Sequence, residues 1–416
     1  MEHILTNQLR AAKAAGRVLS RVSGDVRAAL VENIAGAVDA AKISILAANS
    51  IDVNAAKAAG MSVTLIDRLR LTDAKLDGMV SDIRAVSMLP DPIGKSTSIG
   101  VQASGLTVNR VSIPLGVVGV IYESRPNVTT DISALCIRSG NAVVLRGGSE
   151  TLNTNRALVA AIRSALGEFR EAVQFVDDPS RERVRDLICA DRYVDVIIPR
   201  GGAALGRLCS EEGTVPVIIG GAGVCHLYLD QSAKPKGALE VILNAKTQRT
   251  SVCNALDTLL IHRNVMDGLG IAIAAVLSVD GVCLHVDDTA AVLLERHGLP
   301  YVRVTEEDLA TEWLGMHLNL LVVDGLPEAI SHILQYGSHS DGILTEDPET
   351  AETFIREVDS PAVFVNASTR FHDGGQFGLG AEVAVSTQKV HARGPLGLEA
   401  LTSYKWIASG DYLVRN

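Results

Sequence analysis

The chain has 416 residues, 47% of them apolar and 4% aromatic, with 38 basic and 48 acidic side chains for a formal net charge of −10. That length exceeds one ordinary core, so two or more domains are expected, and the composition suits an Ala/Val/Leu/Ile-rich α/β enzyme rather than a sandwich or a disordered protein. An acidic balance without a sizeable basic run excludes a nucleic-acid binder, and with neither a signal-peptide pattern at Met1-Glu2-His3-Ile4-Leu5 nor an apolar run of about 18 residues, a soluble cytoplasmic protein without a membrane partner is expected.

From Leu5 to about Met88 the pattern is helical, with Ser23 and Thr72 placed to cap helix starts. After Pro90-Asp91-Pro92, the runs Thr97 to Ala103 and Leu106 to Ile113 flank Ser104-Gly105, which predicts a two-residue hairpin. A lone hairpin is only marginally stable, so this one should lean on something else.

Short apolar strands then alternate with helical stretches: Gly116 to Tyr122, Ala142 to Arg146, Val173 to Val176, Val194 to Pro199, Val217 to Ile219 and His226 to Asp230. Continuous Val/Ile runs between helices predict a doubly wound parallel sheet, which binds ligands beyond the carboxyl ends of its strands. Two of those ends carry glycine and charge, Arg146-Gly147-Gly148-Ser149-Glu150 and Arg200-Gly201-Gly202-Ala203-Ala204-Leu205-Gly206. A glycine turn opening a helix offers free backbone N–H groups to a phosphate, although the G-x-G-x-x-G spacing is absent and close strand–helix packing is the other use of such glycines.

Lys246-Thr247-Gln248-Arg249-Thr250-Ser251-Val252-Cys253-Asn254 lies between an expected helix, Pro235 to Ala245, and an expected strand, Leu256 to His262. Cys253 thus stands in a polar connection, where reactive groups are usually mounted, with Arg249 and Lys246 available to favour a thiolate. Cys136, Cys189, Cys225 and Cys283 lie in or at the end of apolar runs and Cys209 follows Leu208, so each reads as a small buried hydrophobe. No C-x-x-C spacing occurs, and neither a metal site nor a disulfide framework is expected. A second α/β series follows, with strands near Thr258 to Ile261, Val282 to His285, Val302 to Val304, Leu318 to Val323, Gly342 to Thr345 and Ala362 to Asn366. The last stretch, Tyr404 to Val414, alternates like an edge strand; with the early hairpin it forms either an assembly sheet between subunits or a strand completed within the monomer.

Several of these segments resemble one family. Ile121-Tyr122-Glu123-Ser124-Arg125-Pro126-Asn127-Val128, Ile198-Pro199-Arg200-Gly201-Gly202-Ala203, Lys246 to Asn254, Val365-Asn366-Ala367-Ser368-Thr369-Arg370-Phe371 and His391-Ala392-Arg393-Gly394-Pro395 are similar to motifs of the γ-glutamyl phosphate reductases, in the aldehyde dehydrogenase superfamily. The resemblance implies an α/β fold with a Rossmann-type cofactor domain (1–96 and 115–234), an α/β catalytic domain (235–366) and a small β oligomerisation extension (97–114 and 367–416). It also implies NADPH-dependent reduction of L-glutamyl 5-phosphate to L-glutamate 5-semialdehyde and phosphate, in proline biosynthesis, by a homo-oligomer, dimer or tetramer, coupled functionally to glutamate 5-kinase.

Carried over residue by residue, the resemblance makes Cys253 the nucleophile and Asn127 the oxyanion donor. Gly201, Gly202 and Gly206 resemble the turn that meets the cofactor pyrophosphate, Arg146 the residue at the adenosine ribose with Glu150 as a second candidate, and Glu312 the ligand of the nicotinamide ribose. The paired Gly220 and Gly221 are also similar to cofactor-side positions. Arg125, Arg249, Thr369 and Arg370 are substrate-binding candidates. Two departures stand out: Ile218 occupies the place where aldehyde dehydrogenases carry the glutamate that activates water, with its side chain expected toward the acyl-enzyme, and Tyr336 to Asp341 is one residue shorter than usual. Aldehyde oxidation to a free acid, a cysteine hydrolase using His226, His262 or His339, and a non-catalytic binding protein remain the competing readings.

Overall fold

In the computed structural model, which describes residues 2–220 and 223–415, the chain divides into two compact units, residues 1–220 with 378–416 and residues 221–377. The first begins with the helices Glu2–Leu19, Gly24–Ala40, Lys42–Ala58, Val63–Leu69 and Asp73–Met88. Ser23 and Thr72 accept the N–H groups of Val26 and Lys75 as the sequence suggests, and Leu30, Val31, Ile34, Ala35 and Val38 form the buried stripe of the second helix. A half-buried ion pair, Arg27 Nη2 to Asp91 Oδ2 at 2.7 Å, ties that helix to the Pro90-Asp91-Pro92 turn.

Next come β1 (Ser96–Val101) and β2 (Thr107–Pro114), antiparallel with a register shift between Ser98 and Gly100. Gly105 takes φ +89° in the hairpin turn, a conformation that disfavours residues with a side chain. β3 (Val117–Tyr122), β4 (Ala142–Gly147), β5 (Val173–Phe175) and β6 (Val196–Arg200) form a parallel sheet in the order β5-β4-β3-β6. The chain steps outward from β3 to β5 and then returns to the other side of β3, so the topological switch point lies where Tyr122 pairs with Arg200. Val217 makes a single parallel bridge to Ile197, which reduces the expected strand at Val217 to Ile219 to one residue.

The second unit holds β7 (His226–Leu229), β8 (Thr258–His262), β9 (Cys283–Val286), β10 (Val302–Arg303), β11 (His317–Val323), β12 (Ser340–Leu344) and β13 (Ala362–Val365). They form one seven-stranded parallel sheet, ordered β10-β9-β11-β8-β7-β12-β13, with Leu259, Ile261, Leu284, Leu318 and Leu320 in one core layer and Tyr228, Leu260, Leu321 and Ile343 in the other. Burial on both faces explains the unbroken apolar runs in the sequence.

The chain then returns to the first unit with β14 (Val385–Ser386), β15 (Gly394–Pro395) and β16 (Thr402–Ser409). β16 pairs antiparallel with β2 from Thr402↔Pro114 to Ser409↔Thr107, so the C-terminal strand is completed within the chain and stops short of Val414. Cys189 is exposed and Cys283 half-buried, against the expectation of buried thiols, because each sits at the border of its element rather than inside it. No single helix among the described residues is long and apolar enough to cross a membrane; one bent pair, Gly24–Ala40 with Lys42–Ala58, passes by length and composition.

Candidate active site

The thiol loop of the second unit leaves the C-terminus of helix Pro235–Thr247 and enters β8, so Cys253 stands at the amino edge of the seven-stranded sheet. The loop is closed at its base, where Leu256 N–H donates to Ala245 O at 3.0 Å and Lys246 Nζ to Leu256 O at 2.8 Å. Lys246 is fully buried, and burial pulls it down to about 8, Asp257 opposing. Its ammonium therefore holds the loop's stem rather than serving as the exposed cation the sequence suggests.

Above the stem, the segment after β13 is stitched to the loop. Thr369 Oγ1 donates to Asn254 O at 2.7 Å, and Asn254 Nδ2 donates to His372 O at 3.1 Å. Arg370 donates from Nε to Gln248 Oε1 at 2.8 Å; burial lowers its pKa, with exposed Arg249 lowering it further and Asp373 and Cys253 opposing. Cys253, Arg249, Thr369 and Arg370, distant in sequence, are thus brought to one place. Thr369 acts there on the loop backbone, and Arg370 with Arg249 places positive charge beside the loop.

Asp257, just before β8, braces this neighbourhood. It accepts Cys225 N–H on Oδ2 at 3.1 Å and Trp313 N–H on Oδ1 at 3.0 Å, which ties the entry to β7 to the segment carrying Glu312. Burial pushes Asp257 up to about 7, opposed by Lys246. An aspartate preceding an apolar strand gives no local signal of this role. His339 is buried, its Nδ1 lies 2.6 Å from Ser340 Oγ, and burial lowers it to about 4. His226 Nδ1 lies 2.9 Å from Asp341 Oδ1 and His262 Nδ1 accepts Asn264 N–H, so all three histidines of the hydrolase reading have other tasks.

In the first unit the candidates gather at the switch point. Beyond β3, Ser124 adopts φ 44°, held by Glu150 Oε1, which accepts its N–H at 2.6 Å and its hydroxyl at 2.9 Å. Glu150 therefore pins this turn. Arg125 is the N-cap of helix Pro126–Arg138, and exposed Asn127 donates its Nδ2 to Asp131 Oδ2 at 2.9 Å, a bond it must exchange to meet an oxyanion.

Beyond β6, Gly202 caps helix Ala203–Glu212, and a Cβ on Gly202 would meet nothing within 4 Å. A Cβ on Gly201 would meet Leu205 Cδ2 at 2.8 Å and Glu123 Oε2 at 2.9 Å, and one on Gly206 would meet Ile219 Cγ2 at 3.2 Å. Open space before a 10-residue helix N-terminus fits the phosphate of a dinucleotide. Arg146 is buried, its Nη2 donates to Pro179 O and Ser180 O, and burial lowers its pKa with Glu150 opposing. Those bonds must be exchanged before it can reach a ribose. A Cβ on Gly220 would lie 3.2 Å from Val385 O, and Gly221 lies outside the described residues. Ile218 is 4% exposed within the first unit's core, where its aliphatic side chain packs.

Residues 4–278 match the aldehyde dehydrogenase family. The γ-glutamyl phosphate reductase of Escherichia coli O1:K1 is 51% identical over 97% of this chain and 98% of its own length. The crystal structure of γ-glutamyl phosphate reductase from Thermotoga maritima superposes with a TM-score of 0.94 at 41% identity, covering 99% of this chain and 100% of that one. An acetylating aldehyde dehydrogenase from Geobacillus thermoglucosidasius shares the fold at a TM-score of 0.72 and 17% identity, over 100% of this chain and 98% of that one.

Proposed function

The chain belongs to the aldehyde dehydrogenase family and, within it, to the γ-glutamyl phosphate reductases, and from that premise we infer a reaction through Cys253. It is an NADPH-dependent oxidoreductase that converts L-glutamyl 5-phosphate to L-glutamate 5-semialdehyde and phosphate, a step of proline biosynthesis. The observation that supports Cys253 as nucleophile is its loop, closed below by Lys246 and held above by Thr369, with Arg370 in its electrostatic field.

An acyl phosphate is already activated, so the protein needs a thiolate, cations and an oxyanion donor rather than a metal. Cys253 attacks the γ-carbonyl, Arg249 and Arg370 stabilise the departing phosphate, and a γ-glutamyl thioester forms. The glycine turn before helix Ala203–Glu212 would hold NADPH, whose chemistry when bound would be hydride donation to the thioester carbon. Collapse of the oxyanion returns the thiolate and releases the aldehyde. Asn127 is the oxyanion donor in this reading, Gly201, Gly202 and Gly206 would receive the pyrophosphate, Gly220 would lie on the cofactor side, and Glu312 would take the nicotinamide ribose. Arg146 faces the adenosine ribose and Arg125 the substrate's amino acid end.

The β1-β2-β16 sheet supports a homo-oligomer, because Ile99, Val101, Tyr404, Trp406 and Ile407 are exposed on it and its outer strands offer unpaired edges. An acyl phosphate is prone to hydrolysis, so coupling to the glutamate 5-kinase that forms it belongs to the same reading. The free cysteines and the need for a reduced thiol suit the cytoplasm. Following NADPH absorbance with glutamyl phosphate, and in reverse with the semialdehyde, phosphate and NADP, tests the reading. Aldehyde oxidation that needs no phosphate would contradict it.

A further inference from the structure

The amino edge of the seven-stranded sheet carries a second cluster that the reduction does not use. Cys283 and His317 are register partners on adjacent β9 and β11, and His285 lies two residues beyond Cys283 on the same face. One ligand atom from each of Cys283, His285 and His317 lies within 4.8 Å of the other two. His285 Nε2 and His317 Nδ1 are 3.0 Å apart, so two imidazole nitrogens converge where a thiol also points. Tetrahedral coordination at ordinary metal–nitrogen lengths separates two nitrogens by about 3.3 Å and a nitrogen from a sulfur by about 3.6 Å, within small side-chain adjustments of this arrangement.

Two further observations favour a cation over a plain histidine–histidine hydrogen bond. His285 is 8% exposed, and the ring nitrogen facing away from the cluster, Nδ1, lies 3.5 Å from Asp308 Oδ2. A carboxylate on the far side of the ring is common for a metal-bound histidine; here it stands at ion-pair distance, while its Oδ2 accepts the Thr305 N–H at 2.8 Å. Trp313 covers both imidazoles, stacked on His317 at 4.9 Å and 16° and tilted over His285 at 4.3 Å.

We propose that Cys283, His285 and His317 form a three-ligand binding site for a borderline transition-metal cation, Zn²⁺ by preference. One thiolate and two imidazoles suit zinc or cobalt and not magnesium or calcium, which require oxygen donors. On binding, Cys283 gives its proton to solvent and forms the metal–sulfur bond, and each imidazole forms a bond through a neutral nitrogen, which leaves a fourth position to water. The cation would fix the Trp313 segment, whose N–H is already held by Asp257.

The test is titration of chelator-treated, full-length protein with Co²⁺, read as the thiolate-to-cobalt charge-transfer band, in wild type, Cys283→Ser, His317→Gln and Cys253→Ala. The band is expected in wild type and in Cys253→Ala, absent in Cys283→Ser and weakened in His317→Gln. In competition with a chromophoric chelator, Cys283→Ser is expected to bind Zn²⁺ at least about tenfold more weakly than wild type. A wild type without the band, a band that survives Cys283→Ser, or one that disappears in Cys253→Ala would each overturn the proposal. His317→Gln changes a half-buried strand-end residue and reads the same site should Cys283→Ser fail to fold; a band of wild-type strength in it would also overturn the proposal.

Discussion

The hydroxyl of Thr369 donates to the carbonyl of Asn254 at 2.7 Å, joining the residue after the proposed nucleophile to a turn 115 positions further along the chain. Both groups are buried, so removing one strands the other at about 1–3 kcal/mol. Thr369→Val is therefore expected to lower kcat about tenfold or more through a displaced Cys253, with NADPH affinity unchanged, while Thr369→Ser keeps most of the activity. Steady-state kinetics with cofactor titration checks this; a Thr369→Val enzyme with wild-type kcat would mean that the loop holds its shape without the bond.

Ile218→Glu places a carboxylate in the first unit's core, among residues such as Ile197 and Val215. Burying that charge or neutralising it costs on the order of 3 kcal/mol. A lower urea midpoint is expected, with the ratio of phosphate released to NADPH oxidised unchanged in the folded enzyme. Wild-type stability together with excess phosphate release would show that position 218 faces the thioester instead.

Lys246 and Asp257 give a pH dependence of definite sign. A lysine lowered to about 8 costs stability below that pH, and the cost is relieved as pH rises toward its ordinary 10.5. A carboxyl raised to about 7 costs nothing below its ordinary 3.8, and the cost grows as pH rises to about 7. Asp257→Asn loses an N–H acceptor at every pH but escapes the second cost. Between about pH 4 and 7 its stability is expected to improve relative to wild type, as measured by urea unfolding. A difference that stays constant over this range would contradict the assignment.

Deleting residues 404–416 removes most of β16 and leaves β2 with an open edge. The proposed assembly through this sheet predicts a smaller particle by light scattering, with the unfolding midpoint of the remaining core retained. An unchanged mass would place the assembly surface elsewhere.

The strands were legible wherever both faces are buried. Val117–Tyr122 and Thr258–His262 are continuous apolar runs because each lies inside a parallel sheet. Val217 to Ile219 shares that composition but makes one bridge, since strand pairing depends on a neighbour that composition does not specify. The loop that carries Cys253 was legible as a polar connection between two regular elements. The tasks of Lys246, Arg146 and Thr369 were not, because long or hydroxylated side chains engage backbone carbonyls that only the tertiary fold brings near. Asp257 and the Cys283, His285 and His317 cluster were missed for a related reason: their partners lie on neighbouring strands, with no local spacing to mark them.

If Cys253 carries the γ-glutamyl group, its removal ends turnover. The measurement is NADPH oxidation with glutamyl phosphate in Cys253→Ala, using protein whose unfolding midpoint and NADPH binding match wild type. A rate at background is expected, a loss of at least about 10³-fold, because deleting the nucleophile removes the covalent route rather than one contact. A rate within tenfold of wild type would contradict it.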